Sequence, residues 1–569
     1  MQVHVVPKTV CRPPSFVDSF ARPITTNRET GNGSFLRPKP VRLSLLVVLA
    51  LAPLMGDWAN AQVTDWIWPK ESVFSDTYKV FIRSGAGRER EIQVLMSRAQ
   101  PGGDYRDREL QGRTFSFVPL SMAADAGPLR VRIIKTFGGA AESVSVSPRR
   151  WKIATELGSR GREATFHIDA PNRYLSVHFA GPDNRTASAG WIKHMLCLFI
   201  DPPETDIPAP NGPGVAVYSA HAAPEALREA KVICFPPGHH NLRRARSGGI
   251  IDADGRVTLE DGQALYLAGG AFVEGLIETG STKFLGQRLY GRGILSGRQY
   301  LWHRHPDHRG PTYRHIVGLG NDSQVQGVTI MESPCHGIVG WKCAITNVKM
   351  LGWHCNNDAV RVGKGSEINH SFFRAVDDHF YNFGIHVRDV VLWAGHNGAI
   401  LTYGWGGKEK TYNSGASLLE DIDIIHPEWT ALGNNNGLVA AQVGLDYRPF
   451  GYGGKATTTL KNIRIEGAIP GLVNLKPFAE QKDISAPQVE PAKVGYLGDL
   501  VLENITVDRQ FAKGRLQGKE KAATDGSGIF QVKSVTFRNV QIGGVRITET
   551  NRSNFFDIDP ETTDDVVFE

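Results

Sequence analysis

Short apolar runs separated by Gly, Asn and Asp recur along the chain, and their spacing changes before the middle. From Val63 to about Asp201 apolar and polar residues alternate with a period of two. Examples are the runs Tyr78 to Ile82, Glu91 to Leu95, Leu129 to Ile134, Ala164 to Ile168 and Tyr174 to Phe179. This alternation, with turn residues roughly every ten positions, predicts an antiparallel β-sandwich.

A second pattern, in which Asn, Asp or His precedes alternating apolar residues, repeats in the C-terminal part. It starts at Asn347, His370 and Asp389, which are 23 and 19 residues apart. Strand-like repeats of this length predict a solenoid in which each repeat is one coil. Residues one repeat apart then stack about 4.8 Å from each other. The sequence therefore predicts an all-β chain, with a parallel β-helix after the sandwich.

The same pattern returns at wider spacing towards the C-terminus. Its later starts are Asp421, Asn462 and Asn504, so the steps lengthen to 32, 41 and 42 residues. These steps imply either loops that project from the coils or a coil that the pattern misses. The recurring Asn or Asp is expected to be a turn residue or part of an asparagine stack.

The patterns divide the chain into four segments. They are a leader (1–61), the β-sandwich domain (62–201), a linker with a short helix (202–231) and the β-helix domain (232–569). The linker is predicted from five prolines between Pro202 and Pro213. The short helix is predicted over Pro224 to Ala230, and the acid/base residues are expected in the β-helix domain.

The first 61 residues have the pattern of an export signal. Three basic residues precede the apolar run from Leu43 to Met55, and Ala59 to Ala61 forms an A-x-A cleavage site. That run is too short to span a membrane. We expect a secreted or periplasmic product with no membrane span after cleavage. The polar stretch before Arg37 is long for a signal peptide. The position of the start codon, and the alternative that the segment is an uncleaved membrane anchor, therefore stay open.

The formal charge of +6 is concentrated in this leader. The leader holds seven Lys or Arg against three Asp or Glu, a net of +4, which leaves +2 for the rest. A near-neutral body gives no electrostatic case for nucleic acid as a partner. The expected partner is a polysaccharide, and the expected state is a monomer.

Cysteine and histidine residues outside the polar clusters give no metal site. Five cysteines follow the leader: Cys197, Cys234, Cys335, Cys343 and Cys355. Their number is odd and their spacing matches no zinc motif, and the last three are interpreted as buried packing residues. The stretch from Trp302 to His308 is interpreted as a solvated loop. Neither a metal nor a cofactor is predicted.

Three polar clusters interrupt the apolar repeats between Trp353 and Gly398. They are Asn356-Asn357-Asp358, Asp377-Asp378-His379 and Gly395-His396-Asn397-Gly398. Asp377 and His396 each lie seven residues after the start of their repeat, which predicts one register on adjacent coils. Asp358 lies eleven residues after Asn347, so a longer excursion precedes it. All three clusters are expected on one face of the solenoid.

Grouped carboxylates suit the hydrolysis of a glycosidic bond. One carboxylic acid protonates the leaving oxygen while another carboxylate activates water or attacks the sugar. Asp377 and Asp378 would point to opposite faces of a regular strand. At a bend both can face a groove, and mutual repulsion then helps keep one protonated. A solvated turn explains this pair equally well by itself, but the flanking clusters favour a site.

The combination of Asn356-x-Asp358, Asp377-Asp378 and the Gly-His-Asn-Gly run resembles the catalytic arrangement of pectinase-like β-helix glycosidases. With the 19-residue gap from Asp358 to Asp377 and the preceding sandwich, it is most similar to glycoside hydrolase family 49, the dextranase and isopullulanase family. The resemblance implies a right-handed parallel β-helix. It also implies hydrolysis of an α-glucan with inversion, at dextran α-1,6 or pullulan-type α-1,4 linkages.

That resemblance also implies roles for individual residues. Asp377 would be the general acid, and Asp358 and Asp378 would hold and deprotonate the attacking water. Asn356, His396 and Asn397 are expected to contact the substrate. For His396, tuning of the acid, a hydrogen bond to a sugar hydroxyl and an inert core position all stay open.

Four aromatic residues near the clusters could stack on the CH-rich faces of sugars. They are Trp353, Trp393, Tyr403 and Trp405. We predict that Tyr403 and Trp405 contact the substrate and interpret the other two as core or rim packing.

Three alternatives share the fold. A polygalacturonase would carry an Arg-Ile-Lys after its histidine to bind a carboxylate, where this chain has Leu401 to Gly407 without paired cations, although Lys408 and Lys410 follow. A non-catalytic polysaccharide-binding β-helix would need no clustered acids. A lyase would use calcium with an Arg or Lys base, which Arg361 and Lys364 leave open.

Overall fold

The computed structural model describes most of the chain after the predicted leader, which lies outside the described residues. The described residues are 62–99, 112–158, 160–187, 189–245, 248–279, 285–302, 305, 307–310, 312–313, 315–405, 416–433, 436–442, 457–476, 497–518 and 532–569. The side chains of Gly404, Trp405, Gln442 and Leu497 are outside the description. Residues 62–569 form a single unit.

The alternating runs of the first part fold into two facing sheets. Their strands are β1 (Val63–Thr64), β2 (Tyr78–Ser84), β3 (Arg90–Ile92), β4 (Leu95–Arg98), β5 (Thr114–Met122), β6 (Leu129–Lys135), β7 (Ser143–Ser147), β8 (Glu156–Leu157), β9 (Glu163–Ile168), β10 (Arg173–Ala180) and β11 (His194–Asp201). One sheet has the order β3-β2-β6-β9-β8, and the other β1-β5-β11-β10-β7 with β4 also on β5. The β5–β11 pair is parallel, so the sandwich is antiparallel except at this pair.

The remaining strands build a parallel β-helix. In chain order they are β12 (Val215–Val217), β13 (Val232–Phe235), β14 (Gly238–Asn241), β15 (Arg256–Leu259), β16 (Ala264–Leu267), β17 (Ala271–Glu274), β18 (Leu276–Thr279), β19 (Arg288–Gly291), β20 (Ile294–Ser296), β21 (His315–Asn321), β22 (Gln324–Gln326), β23 (Thr329–Met331), β24 (His336–Trp341), β25 (Ala344–Thr346), β26 (Lys349–Leu351), β27 (Val360–Val362), β28 (Glu367–Asn369), β29 (Phe372–Ala375), β30 (Phe380–Tyr381), β31 (His386–Arg388), β32 (Val391–Ala394), β33 (Leu401–Trp405), β34 (Leu418–Ile425), β35 (Val439–Gln442), β36 (Thr458–Ile469), β37 (Val473–Leu475), β38 (Leu497–Gln510), β39 (Gly514–Leu516), β40 (Val532–Ile542), β41 (Val545–Arg546), β42 (Phe556–Ile558) and β43 (Thr563–Phe568). Helix α1 covers Pro224–Glu229, and short 3₁₀ turns lie at Arg149–Trp151, Pro182–Asn184, Leu242–Arg244 and Arg552–Asn554.

The coils stack into three parallel faces. Face one contains β13, β16, β19, β22, β25, β28 and β31; face two contains β14, β17, β20, β23, β26, β29 and β32; face three runs from β15 and β18 through β27, β30 and β33 to β42. From β34 onward one long strand continues both face one and face two. The predicted fold class, a sandwich followed by a parallel β-helix, is confirmed. Face one already starts with β12, inside the segment 202–231 that the prolines predict to be a linker.

The recurring Asn or Asp of the sequence pattern lies at the bend between faces one and two. Asn347, His370, Asp389, Asp421, Asn462, Asn504 and Asn539 have φ between 44° and 56°. Asn and Asp adopt this left-handed conformation more readily than most non-glycine residues. In the last coils, the amide of Asn539 donates to Asn504 at 2.8 Å and that of Asn504 to Asn462 at 3.1 Å. The predicted turn and the predicted asparagine stack therefore coincide.

Each of the longer repeats towards the C-terminus corresponds to a single coil. Strands β32, β34, β36, β38 and β40 pair with one another in sequence. The additional residues therefore belong to segments between coils, which is the loop alternative of the prediction. Much of each segment lies outside the described residues.

One sheet of the sandwich packs against face two of the solenoid, and we call this contact the seam. Strand β5 is buried along its whole length, because one side faces the other sandwich sheet and the opposite side faces the solenoid. The sandwich supplies aromatic residues such as Phe115 and Phe199, and face two supplies Phe372 and Trp393. The sandwich therefore covers face two of the coils that carry the polar clusters.

Other predictions about buried and metal-binding residues can be compared with the described part of the chain. Its five cysteines are all buried, as predicted for the last three. Trp302 and His305 are 3% and 5% exposed, so the expectation of a solvated loop is wrong at both positions; His303 and Arg304 lie outside the described residues. No group of three or more metal-ligating side chains, and no helix long and apolar enough to cross a membrane, is found in the described residues.

Candidate active site

The three polar clusters lie on consecutive coils, at the corner between face two and face three. Met350 pairs with Phe373, 23 residues on, in face two. Val360 pairs with Phe380, only 20 residues on, in face three. Between the second and third coils, paired residues are 19 positions apart in face two and 21 positions apart in face three. The corner is therefore longer in the first and third coils than in the second, which explains the longer excursion before Asp358.

Asp377 lies in the bend between β29 and β30 and is held by the coils on both sides. Its Oδ2 atom accepts the backbone N–H of Asn356 and the side-chain N–H of Asn397, both at 2.8 Å. The residue is 6% exposed. Burial and the negative charge of Asp358 raise the pKa of Asp377 to about 7, although both hydrogen bonds act in the opposite direction. Asp377 therefore keeps its proton below neutral pH.

Asp358 lies one coil earlier and has the opposite electrostatic character. Burial alone would raise its pKa, but the charge and the hydrogen bond of His336, the Tyr381 hydroxyl and Arg361 together lower it. His336 Nδ1 lies 3.1 Å from Asp358 Oδ1, and the Tyr381 hydroxyl donates to Oδ2. Asp358 is therefore a carboxylate at the pH at which Asp377 is an acid.

Asp378 is fully buried behind its neighbour. Its Oδ1 atom accepts the backbone N–H of Ala399 at 2.8 Å, and its own N–H donates to Asp377 Oδ1 at 3.0 Å. Because the two aspartates lie at a bend and not in a regular strand, their side chains are not forced to opposite faces. Asp378 links the acid to the third coil.

His336, Asp358 and Asp378 occupy neighbouring positions on three successive coils. The N–H of Gly337 donates to the carbonyl of Asp358 at 2.8 Å, and the N–H of Ala359 donates to the carbonyl of Asp378 at 2.9 Å. This parallel pairing stacks the three side chains in one column along the solenoid axis. The column brings one imidazole and two carboxylates to the edge at which Asp377 lies.

The two glycines of the third cluster allow its backbone to approach the acids. Gly398 has φ of 70°, and a Cβ atom there would lie 2.2 Å from the carbonyl carbon of Asp377. A Cβ atom at Gly395 would lie 2.5 Å from the Cα atom of Val376. Any larger residue would displace the bend that carries Asp377, so the Gly-His-Asn-Gly run is required by packing.

Of the predicted substrate contacts, Asn356 and Asn397 bond to Asp377, and His396 precedes Asn397 in the sequence. Asn397 donates to the acid directly. Asn356 has its side-chain oxygen Oδ1 buried with no hydrogen-bond partner in the described residues. The ring of His396 stacks on Trp191, a residue of the sandwich, with centroids 5.3 Å apart and planes inclined by 19°. His396 is thus held by a residue that precedes the β-helix.

The aromatic predictions are wrong for Tyr403 and untested for Trp405. Tyr403 is 1% exposed and packs inside the coil with the main apolar core, so it presents no face to a sugar. The side chain of Trp405 lies outside the described part of the structure. Trp353 and Trp393 are buried in the seam, and their indole N–H groups donate to Ser97 and Glu428 at 2.8 Å.

The sequence patterns missed three residues that complete the site: His336, Tyr381 and Trp191. His336 and Tyr381 are on the coils before and after Asp358 and contact its two oxygens. His336 precedes Asp358 by 22 residues, close to one repeat, so the solenoid period was a usable signal for it. No sequence pattern pointed to Trp191, because its position depends on how the sandwich docks.

Comparison with known proteins supports the resemblance to family 49. Over 261 residues the chain is 27% identical to the isopullulanase of Aspergillus niger, which covers 40% of this chain and 45% of the relative. Over 242 residues it is 26% identical to a dextranase of Arthrobacter sp. (strain CB-8), covering 37% and 36% respectively. The chain thus spans less than half the length of these curated relatives. No protein-family model matches it.

Among solved structures, the chain is similar to Dex49A from Penicillium minioluteum. The TM-score is 0.65 at 17% identity, over 89% of this chain and 96% of that chain. At this identity the match establishes the shared fold, a β-sandwich joined to a parallel β-helix.

Proposed function

We propose that this chain, which resembles dextranases and an isopullulanase, is a glycoside hydrolase that cleaves a neutral α-glucan with inversion. Asp377 is the general acid. Asp358 and Asp378 hold and deprotonate the attacking water. The linkage is of the dextran α-1,6 or the pullulan α-1,4 type.

A single observation carries this proposal: two buried carboxyl groups on adjacent coils have pKa values shifted in opposite directions. The pKa of Asp377 is raised to about 7 and that of Asp358 is lowered. Glycoside hydrolysis requires one protonated and one ionised carboxyl group at the same pH. A polysaccharide-binding solenoid has no need of such a pair.

The reaction follows from these protonation states. Asp377 donates its proton to the glycosidic oxygen as the bond to the anomeric carbon breaks. Asp358 removes a proton from a water molecule that attacks this carbon from the opposite side of the ring. The carboxylate of Asp358 also favours the positive charge that develops on the sugar.

A neutral sugar fits the third coil better than a uronate. Residues Leu401 to Tyr403, which occupy the place of the polygalacturonase cations, are at most 1% exposed. They offer no paired positive charge to a sugar carboxylate. The matches to an isopullulanase and a dextranase support the same substrate class.

We further propose that the chain is exported, as the pattern of residues 1–61 indicates, and that it acts as a monomer. Export is consistent with a polymer substrate too large to enter a cell. Sequencing the N-terminus of the exported protein tests cleavage before Gln62, and light scattering tests the monomer.

The first experiment is the release of reducing sugar by the purified full-length protein. Dextran, pullulan, polygalacturonate and an arabinan are the substrates, and the Asp377→Asn variant is run beside the wild type. We expect release from one α-glucan, loss of it in the variant, and a β-anomer as the first product by NMR, because inversion converts an α linkage to a β product.

The other outcomes separate the alternatives. Release from polygalacturonate alone would place the protein with the pectin hydrolases. Activity lost to a chelator would indicate a calcium-dependent lyase. Binding of a polymer without any release of sugar would leave a polysaccharide-binding protein.

A further inference from the structure

A second cleft lies on the same edge of the solenoid as the catalytic corner, towards the N-terminal coils. It has a volume of about 630 Å³, and its lining includes His239, Asn241, Arg244, Glu274, Arg298 and Glu332. Glu274 ends β17, and its partners along face two are Ser296, Met331 and Leu351 on the next three coils. At about 4.8 Å per coil, the distal cleft lies about 14 Å along the solenoid axis from the coil of Asp358.

We propose that this distal cleft is a subsite for the glucan chain, which binds sugar residues remote from the bond that is cleaved. The inference rests on the proposed function for its substrate class. It adds a binding site three coils away from the acids and implies a substrate that lies along the solenoid axis.

The cleft is built on a rigid polar frame around Glu274, which is 4% exposed. The carboxylate contacts the amide of Asn241 at 2.9 Å, His239 at 3.0 Å and the guanidinium of Arg298. A buried carboxylate held by three polar groups fixes the orientation of the side chains that surround the cleft. Such fixed planar groups recognise the hydroxyls of a sugar without reorganisation.

A second buried carboxyl group, Glu332, joins the distal cleft to the catalytic corner. The hydroxyl of Ser296 donates to it at 2.7 Å and that of Ser97 at 3.1 Å. Ser97 in turn accepts the indole N–H of Trp353 at 2.8 Å. The backbone N–H of Trp353 donates to the side chain of Asn357, so these hydrogen bonds connect the cleft to the segment that precedes Asp358.

The charge of the cleft indicates a neutral ligand. Three carboxyl groups and three guanidinium groups line it, so the formal charges cancel. A uronate polymer would require an excess of cations, whereas sugar hydroxyls use donors and acceptors equally. The side of Arg298 that is not against Glu274 covers the ring of Phe272, 4.7 Å from its centroid, which holds this cation at the wall of the cleft.

The test uses oligosaccharides of increasing length from the α-glucan that the enzyme cleaves. In the wild type, KM is expected to fall once the oligosaccharide is long enough to reach the cleft. In Arg298→Ala and in the exposed Arg244→Ala, KM for the long oligosaccharides rises about tenfold, the size of one lost charge-assisted hydrogen bond. KM for the shortest substrate is unchanged. Arg83→Ala, on the exposed side of the sandwich, is the matched control and changes neither.

Binding to the inactive Asp377→Asn protein tests the cleft without hydrolysis. Calorimetry with long and short oligosaccharides should show the same length-dependent loss when Arg298→Ala or Arg244→Ala is added. If neither arginine variant changes KM or binding of the long oligosaccharides, the subsite is refuted while the hydrolase stands. If the wild type hydrolyses no glucan, the proposed function fails. The calorimetric binding of the oligosaccharides then tests by itself whether the cleft is a subsite. Arginine-dependent binding of polygalacturonate would overturn the neutral ligand.

Discussion

Two buried carboxyl groups near the same strand of the solenoid have opposite properties. Glu428 in the seam is 2% exposed and contacts Arg113 at 2.6 Å and Arg374 at 3.3 Å. Burial raises its pKa, but the charges of the two arginines outweigh burial and lower it to about 2. Asp377, three residues after Arg374, is also buried, yet its pKa is raised to about 7.

The difference shows that the neighbouring charge, and not the depth of burial, decides what each carboxyl group can do. With two cations beside it, Glu428 is a permanent anion that joins the sandwich to the solenoid. With another acid beside it, Asp377 keeps its proton, as the proposed role of general acid requires. The following variants test this comparison, beginning with the one of largest expected effect.

Replacing Asp377 by Asn should lower kcat by about 10³-fold, because general acid catalysis contributes up to about 10⁴-fold. The unfolding free energy at pH 8 should not fall, since the variant removes a buried like charge. Reducing-sugar assays and thermal unfolding measure the two effects. A variant that retains most of its activity would remove Asp377 from the mechanism.

Replacing Glu428 by Gln should have the opposite effects, a loss of stability with little loss of activity. Two arginines lose their partner in a buried site, so the unfolding free energy should fall by about 3 kcal/mol. The activity per folded molecule should stay within a factor of a few, because the carboxylate of Glu428 bonds to Arg113, Arg374 and Trp393 in the seam. Urea unfolding and active-site titration are the measurements. Equal stability with a large loss of kcat would show that the seam takes part in catalysis.

The pH dependence of stability should have opposite signs at the two carboxyl groups. The raised pKa of Asp377 contributes stability that is present below about pH 4 and lost as the pH rises to about 7. The lowered pKa of Glu428 contributes stability that is present above about pH 4 and lost as the pH falls to about 2. Unfolding of each variant across this range, compared with the wild type, should therefore give differences of opposite slope.

The smallest effect is expected for His336→Gln. The His336 charge lowers the pKa of both Asp358 and Asp377, so both limbs of the pH profile of kcat/KM should move to higher pH. Activity should fall roughly tenfold, which corresponds to one lost charge-assisted hydrogen bond of about 1.5 kcal/mol. The pH profile distinguishes this role from a structural one, because a structural defect would lower activity without moving the limbs.

The sequence was sufficient for the parts of this molecule that depend on the repeat. The 23- and 19-residue steps are the offsets observed in face two, and the recurring Asn and Asp take the left-handed bend. The three aspartates converge because the chain returns to the same corner once per coil. His336 was missed although it lies about one repeat before Asp358, because no carboxylate or amide residue adjoins it in the sequence.

What the sequence could not predict depends on how the sandwich and the solenoid pack together. The sequence pattern around an outward-facing aromatic residue on a coil is the same whether that residue contacts a sugar or another domain. Trp393 meets the sandwich, whereas Tyr403 points into the coil. Trp191 reaches His396 from the sandwich, a contact that no local pattern encodes.

The contacts across the seam determine how late in synthesis the protein can finish folding. Arg113 in the sandwich bonds to Glu428, which is synthesised 315 residues later. Ser97 similarly contacts Glu332 after a gap of 235 residues. Contacts so distant in the chain make folding slow, and the two arginines of the seam lack their anion until most coils exist. A chain interrupted before Glu428 would hold the sandwich and the three aspartates of the candidate site, yet remain an unfinished, aggregation-prone intermediate.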